Sequence, residues 1–314
     1  MPEMRVFSTA GLPAARRIEL WEGHNTAALI GLSCHTAVPG ALEATEVNVQ
    51  LGRIQLARVI GSPHVVERSA EVIRRSPADA VAVYVTLRGD AWFRHGDGTR
   101  DLRPGQVLIC DADRPFTRGF ARGLEELAIK VPRAALLAGT GLTCMRSPVV
   151  AAFARGNDPY ARVLARLVDR AARAERPVAA DEGTVLDLVA TLAAGRNADR
   201  TVALRAAARC FIEDHLADPG LGAARVAAAT GISERHLSRV FAADGTTIPR
   251  HVLSRRLQLG YAMLADPATE AGTGRTVADV AARCGFTSAT YFSHAFRERF
   301  GLRAGDVRRD ATRR

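Results

Sequence analysis

The spacing of apolar residues changes character once along this chain, near Asp158. Before that point Val47, Val49, Leu51 and Ile54–Leu56 alternate or nearly alternate, and Ala80–Leu87 is a β-branched run, so both predict strands. Trp92 and Phe93 lead into His95-Gly-Asp-Gly98, a hairpin signal, and Gln106–Cys110 and Leu124–Val131 add further strands. Short strands over residues 43–131, parted by Gly, Pro and Asp turns, predict a β-sandwich or barrel. After Asp158 the period becomes helical: Tyr160, Val163, Leu164, Leu167, Val168 and Ala171 share one face, as do Val185, Leu188, Val189 and Leu192. The apolar stripes of those two helices serve either a dimer-forming pair or a cover on the sandwich. Gly195–Arg200 breaks the pattern as a linker, and helices with short turns follow it. The expected fold class is α+β: an N-terminal β-sandwich or barrel with flanking helices, then an all-α domain.

Composition leaves that picture standing. The chain has 314 residues, 47% hydrophobic and 24% charged, which excludes disordered, collagen-like and disulfide-framework proteins. Charge adds something. The net charge is +10, and residues 200–314 hold 18 basic against 11 acidic residues, so the C-terminal third is the part suited to a polyanion. All basic residues but Lys130 are arginine, the better side chain for bidentate phosphate and guanine contacts. Cys34, Cys110, Cys144, Cys210 and Cys284 are scattered with no CxxC pair, which fits cysteines packed in a reducing cytosol. Charges at Glu3, Arg5, Arg16, Arg17 and Glu19 break any signal-peptide pattern, and the uncharged stretch Gly23–Leu42 is too polar to span a bilayer. The expected location is cytoplasmic, at the nucleoid, with no membrane partner.

An internal repeat carries the strongest signal. Ala224-Arg-Val-Ala-Ala-Ala-Thr-Gly231-Ile-Ser is matched by Ala278-Asp-Val-Ala-Ala-Arg-Cys-Gly285-Phe-Thr, and Leu237 and Phe241 by Phe292 and Phe296. Each copy has the layout of a helix-turn-helix: a small-residue helix, a glycine turn, and Ser233 or Ser288 as cap of the next helix. Inward Leu237 and Phe241 turn Arg235, Ser238 and Arg239 outward; inward Phe292, Phe296 and Phe300 turn Thr290, Ser293, His294 and Arg297 outward. A segment from Pro249 through Arg255, Arg256, Leu257 and Tyr261 to Asp266-Pro267 joins the copies.

At these residues the sequence resembles the AraC/XylS family of bacterial transcription regulators, over about Thr201–Val307. The resemblance implies two helix-turn-helix units on one linker helix, with reading helices in successive major-groove faces about 34 Å apart. It implies double-stranded DNA as partner, contacted by Ser233, Arg235, Ser238, Arg239 and Arg255, and by Ser288, Thr290, Ser293, His294 and Arg297. It also implies a homodimer, and contact with RNA polymerase if the protein is an activator. His294 stands where many members have arginine, and Arg303-Ala304 where a Ser/Thr-Pro pair usually opens the last helix.

In the N-terminal part, Gly98 and Pro104-Gly105 resemble half of the second cupin motif, and Asp111-Ala-Asp-Arg-Pro-Phe116 resembles the sensor domains of benzoate-responsive AraC-type regulators. The position of a cupin's metal histidine falls near Leu108, and His64 and His95 are isolated, so no metal, cofactor or catalytic residue is expected. Tyr84, Trp92, His95 and Arg114, with Phe93, form the candidate wall for a small organic effector, an aromatic surface plus one cation suiting a carboxylate or aromatic ligand. The expected boundaries are 1–140 for a cupin-like sensor, 141–195 for a helical dimerisation segment, 196–202 for the linker and 203–314 for the DNA-binding domain. The function expected is a ligand-controlled, sequence-specific transcription regulator, more readily an activator. Two alternatives are a ligand-independent architectural DNA-binding protein and a DNA alkyl-transfer enzyme; the latter lacks the Pro-Cys-His-Arg setting its nucleophile needs.

Overall fold

A computed structural model describes residues 4–140, 145, 147–154, 158–173, 178–265 and 276–312. The chain divides into two compact units, one running to Arg173 and resuming over Glu182–Val202, the other taking Ala203 onward together with residues 178–181.

The first unit contains the strands β1 (Met4–Ser8), β2 (Ser33–His35), β3 (Ala44–Leu51), β4 (Ile54–Gly61), β5 (His64–Arg68) and β6 (Ala80–Arg88). They are followed by β7 (Ala91–His95), β8 (Gly98–Leu102), β9 (Gln106–Asp111), β10 (Phe116–Phe120), β11 (Leu124–Pro132) and β12 (Val149–Ala152). Seven strands form one antiparallel sheet in the order β1-β3-β4-β11-β6-β9-β12, and five form another, β2-β5-β10-β7-β8. The alternation read from the sequence is the side-chain alternation of these strands. Asn48, Ala57, Ala128, Tyr84 and Leu108 lie in register on one face of the large sheet, and Val47, Arg58, Leu127 and Val85 on the other.

Five helices belong with the sandwich: α1 (Arg17–Ala28), α2 (Ala70–Arg75), α3 (Arg133–Thr140), α4 (Pro159–Ala171) and α5 (Glu182–Ala194). Asp158 caps α4 by accepting from the backbone of Tyr160 and Ala161, with Pro159 at the first helical position. The apolar stripes of α4 and α5 are buried within the unit, including Val163, Leu164, Val168, Val185 and Leu188. Arg58 reaches from β4 to Asp169 of α4 at 2.6 Å. Within the chain these helices pack against the sandwich.

The second unit is built on α6 (Arg200–His215), α7 (Ala223–Thr230), α8 (Glu234–Ala242), α9 (Ile248–Leu264), α10 (Val277–Arg283), α11 (Ala289–Phe300) and α12 (Ala304–Thr312). The expected end of the joining segment at Asp266-Pro267, and Cys144, lie outside the described residues. Two separate cores form. Ile212, Val226, Leu237, Phe241, Ile248 and Val252 make one, and Leu257, Leu264, Val280, Phe292, Phe296 and Val307 the other. The helix α9 sends Val252 to the first and Leu257 and Leu264 to the second.

Candidate functional site

In the first repeat, α7 ends on Gly231 at φ 69°, a left-handed turn that costs a glycine nothing. Ser233 then caps α8, its hydroxyl oxygen accepting from His236 N–H at 3.3 Å. In the second, Thr276 and Asp279 form a reciprocal capping box on α10. Gly285 turns the chain at φ 82°, and Ser288 caps α11 through Tyr291 N–H at 3.2 Å. A side chain at Gly285 would have its Cβ 2.5 Å from the carbonyl oxygen of Leu216, so only glycine fits there.

Burying Leu237, Val240 and Phe241 leaves Arg235, Ser238 and Arg239 exposed on α8, together with the cap Ser233. Burying Phe292, Ala295 and Phe296 leaves Thr290, Ser293, His294 and Arg297 exposed on α11, together with Ser288. Each set lies on the solvent side of the second helix of its repeat. Ser293 donates its hydroxyl to Ala289 O at 2.9 Å, so its oxygen is left facing solvent chiefly as an acceptor. Arg303 and Arg309 of the α12 region line a groove with Ser293, His294 and Arg297. The sequence reading treated Arg303 only as a capping departure. Its position beyond the Gly301 turn, which folds the chain back at φ 69°, is what brings it beside α11.

Arg255 does not share this surface. It is 3% exposed, and its Nε donates to Glu213 Oε1 at 2.5 Å. Its place inside the unit corrects the expectation that it contacts DNA. A guanidinium closed onto a buried carboxylate has no route to a phosphate. Its neighbour Arg256 is likewise structural, donating to the carbonyls of Leu216 at 2.9 Å and Asp218 at 2.6 Å.

The N-terminal unit has its own small cavity between the two sheets, about 40 Å³ in volume and open to solvent. Ala82 and Ala128 of the large sheet, Phe120 of the small sheet and Trp21 of α1 are among the residues that line it. Of the candidate ligand contacts, Tyr84 lines this cavity and the other three do not. Trp92 lies against Gly119, where a Cβ would come within 2.3 Å of its indole, and Arg94 stands 5.7 Å over its ring. His95 stacks on Phe93 at 6.1 Å, and Arg114 is exposed in the turn after β9.

Two cations line the cavity, Lys130 of β11 and Arg118 of β10, and the sequence reading missed Arg118. It is 1% exposed, its guanidinium lies 3.8 Å over the Tyr84 ring, and it grips Glu126 of β11 with both Nη groups at 2.9 and 2.6 Å. A register shift between β11 and β6 at Glu125 and Glu126 sits beside this pair. Burial pushes the His64 imidazole down, so it is neutral near pH 7, and pushes the Tyr84 phenol up. Glu46, on the same sheet face one strand beyond Val59, is fully buried. Burial raises its carboxyl to about 7, while Asn48 Nδ2 donates to one oxygen at 2.5 Å. Among the described residues no group of three or more His, Cys, Asp or Glu could hold a metal ion. No helix among them is long and apolar enough to cross a membrane.

Comparison with known proteins reaches both units. The AraC-binding-like domain family matches residues 28–208, and the helix-turn-helix domain family matches residues 226–310. The transcriptional activator RhrA of Rhizobium meliloti (strain 1021) is 34% identical over 98 residues, spanning 31% of this chain and 30% of RhrA. The transcriptional activator NphR of a Rhodococcus species is 24% identical over 274 residues, 83% of this chain and 79% of NphR. Among solved structures, the AraC-like transcriptional activator CuxR is similar with a TM-score of 0.48 and 18% identity, over 88% of this chain and 98% of CuxR.

Proposed function

The chain belongs to the AraC family of DNA-binding transcription regulators, which are not enzymes, and from that premise we propose that it is an activator governed through its N-terminal unit by a small organic effector. The helices α8 and α11 are the reading helices. Arg235, Ser238 and Arg239 on one, and Thr290, Ser293, His294 and Arg297 on the other, meet base edges and phosphates of double-stranded DNA. Ser233 and Ser288 set where those helices begin, and Arg303 adds a phosphate contact. Arg255 supports the scaffold from within.

One observation carries the reading: two helix-turn-helix units, each with its polar face outward, share the single helix α9. At 17 residues α9 is about 25 Å long, a rigid spacer on the scale of one DNA turn. The proposed organisation is a sensor over 1–140, helices over 141–195, a linker over 196–202 and the DNA-binding domain over 203–314. The protein acts as a homodimer in the cytoplasm, at the nucleoid, and contacts RNA polymerase at its promoters. The names of RhrA and NphR support activation.

Genome-wide footprinting of the full chain tests this. Discrete sites upstream of genes are expected, with two protected major-groove segments about one turn apart. Uniform coverage without preferred sites would favour the architectural reading instead.

A further inference from the structure

The two reading helices carry one further pair of equivalent residues, which their outward sets leave out. In each repeat the serine cap accepts from the third residue of the helix, His236 N–H at 3.3 Å on α8 and Tyr291 N–H at 3.2 Å on α11. His236 precedes inward Leu237 as Tyr291 precedes inward Phe292, so the repeat places the two at one position. Both side chains are flat rings that carry a hydrogen-bond donor, the imidazole N–H and the phenol O–H. Neither was among the residues expected at DNA.

At 3.6 residues per turn, this position lies about a quarter turn round the helix from the middle of the outward set. A helix in the major groove has base edges before its outward face and sugar-phosphate backbone beside its flanks. Tyr291 is 56% exposed. Exposure of one aromatic ring alone says little. This ring, however, is held in place: its backbone is fixed by the Ser288 cap, and its inner edge rests on Phe286 with centroids 6.1 Å apart. His236 is half-buried and fixed by its own cap. Among the described residues neither ring has a hydrogen-bond partner for its donor.

We propose that Tyr291 and His236 seat the two reading helices by each donating to one backbone phosphate, the two phosphates holding equivalent places in the two half-sites. The proposal rests on the reading of α8 and α11 as the helices that enter the groove. A phosphate is the same at every base pair, so these contacts fix the depth and angle of each helix and carry no sequence preference of their own. The phenol brings no charge, so its contact displaces no counterion.

The full chain, the operator located by footprinting, and the variants Tyr291→Phe and His236→Phe test this. Each variant keeps a ring and loses the donor. Each should bind the operator about tenfold more weakly, and by the same factor on every single-base variant of it. Tyr291→Phe should leave the salt slope unchanged. His236→Gln, which retains a donor, should keep most of the binding, and no unfolding midpoint followed by circular dichroism should move. Methylphosphonate placed at single phosphates then locates the contacts. One position in each half-site should weaken binding of the unmodified protein; Tyr291→Phe should abolish that penalty at one, and His236→Phe at the other. Unchanged affinity of either variant overturns its assignment. A loss confined to one base pair, a loss that follows a lowered unfolding midpoint, or a methylphosphonate penalty that both variants keep overturns the proposal. Arg239→Ala separates it from the reading beneath: binding weakened there but not by these variants means that the helices read DNA and the rings do not seat them.

Discussion

Replacing Arg255 with alanine separates a scaffold role from a DNA contact. Arg255 is 3% exposed and Glu213 is 6% exposed, with Nε 2.5 Å from Oε1 and Nη2 3.4 Å from Oε2. Removing the guanidinium leaves a buried carboxylate unpaired, and also removes the partner of Gln258. The expected loss is about 3–5 kcal/mol from the stability of the C-terminal unit. The double variant Arg255→Met, Glu213→Leu removes both charges and should recover most of that loss, since a well-packed apolar pair is often neutral or better. Urea unfolding of the full chain measures this. Both tryptophans, Trp21 and Trp92, belong to the N-terminal unit, so their fluorescence follows that unit, while helical circular dichroism follows mainly the other. The reasoning is refuted if Arg255→Ala leaves the helical transition where it was but weakens operator binding and flattens its salt dependence by about 0.9 in log–log slope. Arg255 would then face a phosphate.

Three further outcomes are expected. Arg239→Ala should weaken specific binding by about 1–3 kcal/mol and relax preference at one base pair, read by binding to single-base operator variants; an intact preference would assign Arg239 to phosphate or solvent. His294→Arg should tighten binding and steepen the salt slope by about 0.9, because a fixed charge displaces about one more counterion; identical slopes would remove His294 from the interface. A carboxyl raised on folding, as Glu46 is from 4.5 to about 7, stabilises fully below the lower value, and that contribution is lost as pH rises through the upper one. Glu46→Gln should therefore gain on the unmodified protein between about pH 4.5 and 7, by at most about 3.5 kcal/mol at about 1.4 kcal/mol per unit; a pH-independent difference in unfolding free energy would contradict this.

The duplicated helix-turn-helix was legible because its determinants are local. Glycine in the turn, serine at the cap and apolar residues at i, i+4 each act within one or two turns of chain, and they agree. The outward faces of α8 and α11 followed directly. Burial of Arg255 did not follow, because its partner Glu213 lies 42 positions away and nothing local predicts that meeting. In the sandwich, β3 and β4 alternate or nearly so and β6, β9 and β11 read as apolar runs buried on both faces, whereas β1, β2 and β12 are short strands without a stripe. The helix α1 escaped because only Trp21 and Asn25 are buried along it. Missing β10 was the costly omission. Phe116, Arg118 and Phe120 alternate there, and an arginine between two inward phenylalanines marks a buried cation. Arg114, the cation chosen instead, lies one turn too early and outside.

The sharing of α9 between two cores has a consequence for the operator. A flexible joint would let the second unit search for its groove after the first had docked. Here that search is already finished when the chain folds, so the second unit arrives at high effective concentration on DNA of the right phase. On DNA of the wrong phase the same stiffness works against it. One base pair inserted between the two half-sites rotates the second by about 34° and shifts it by about 3.4 Å. Among the described residues α9 is packed into both cores and leaves no slack for that error, so the DNA must twist, or one unit must let go.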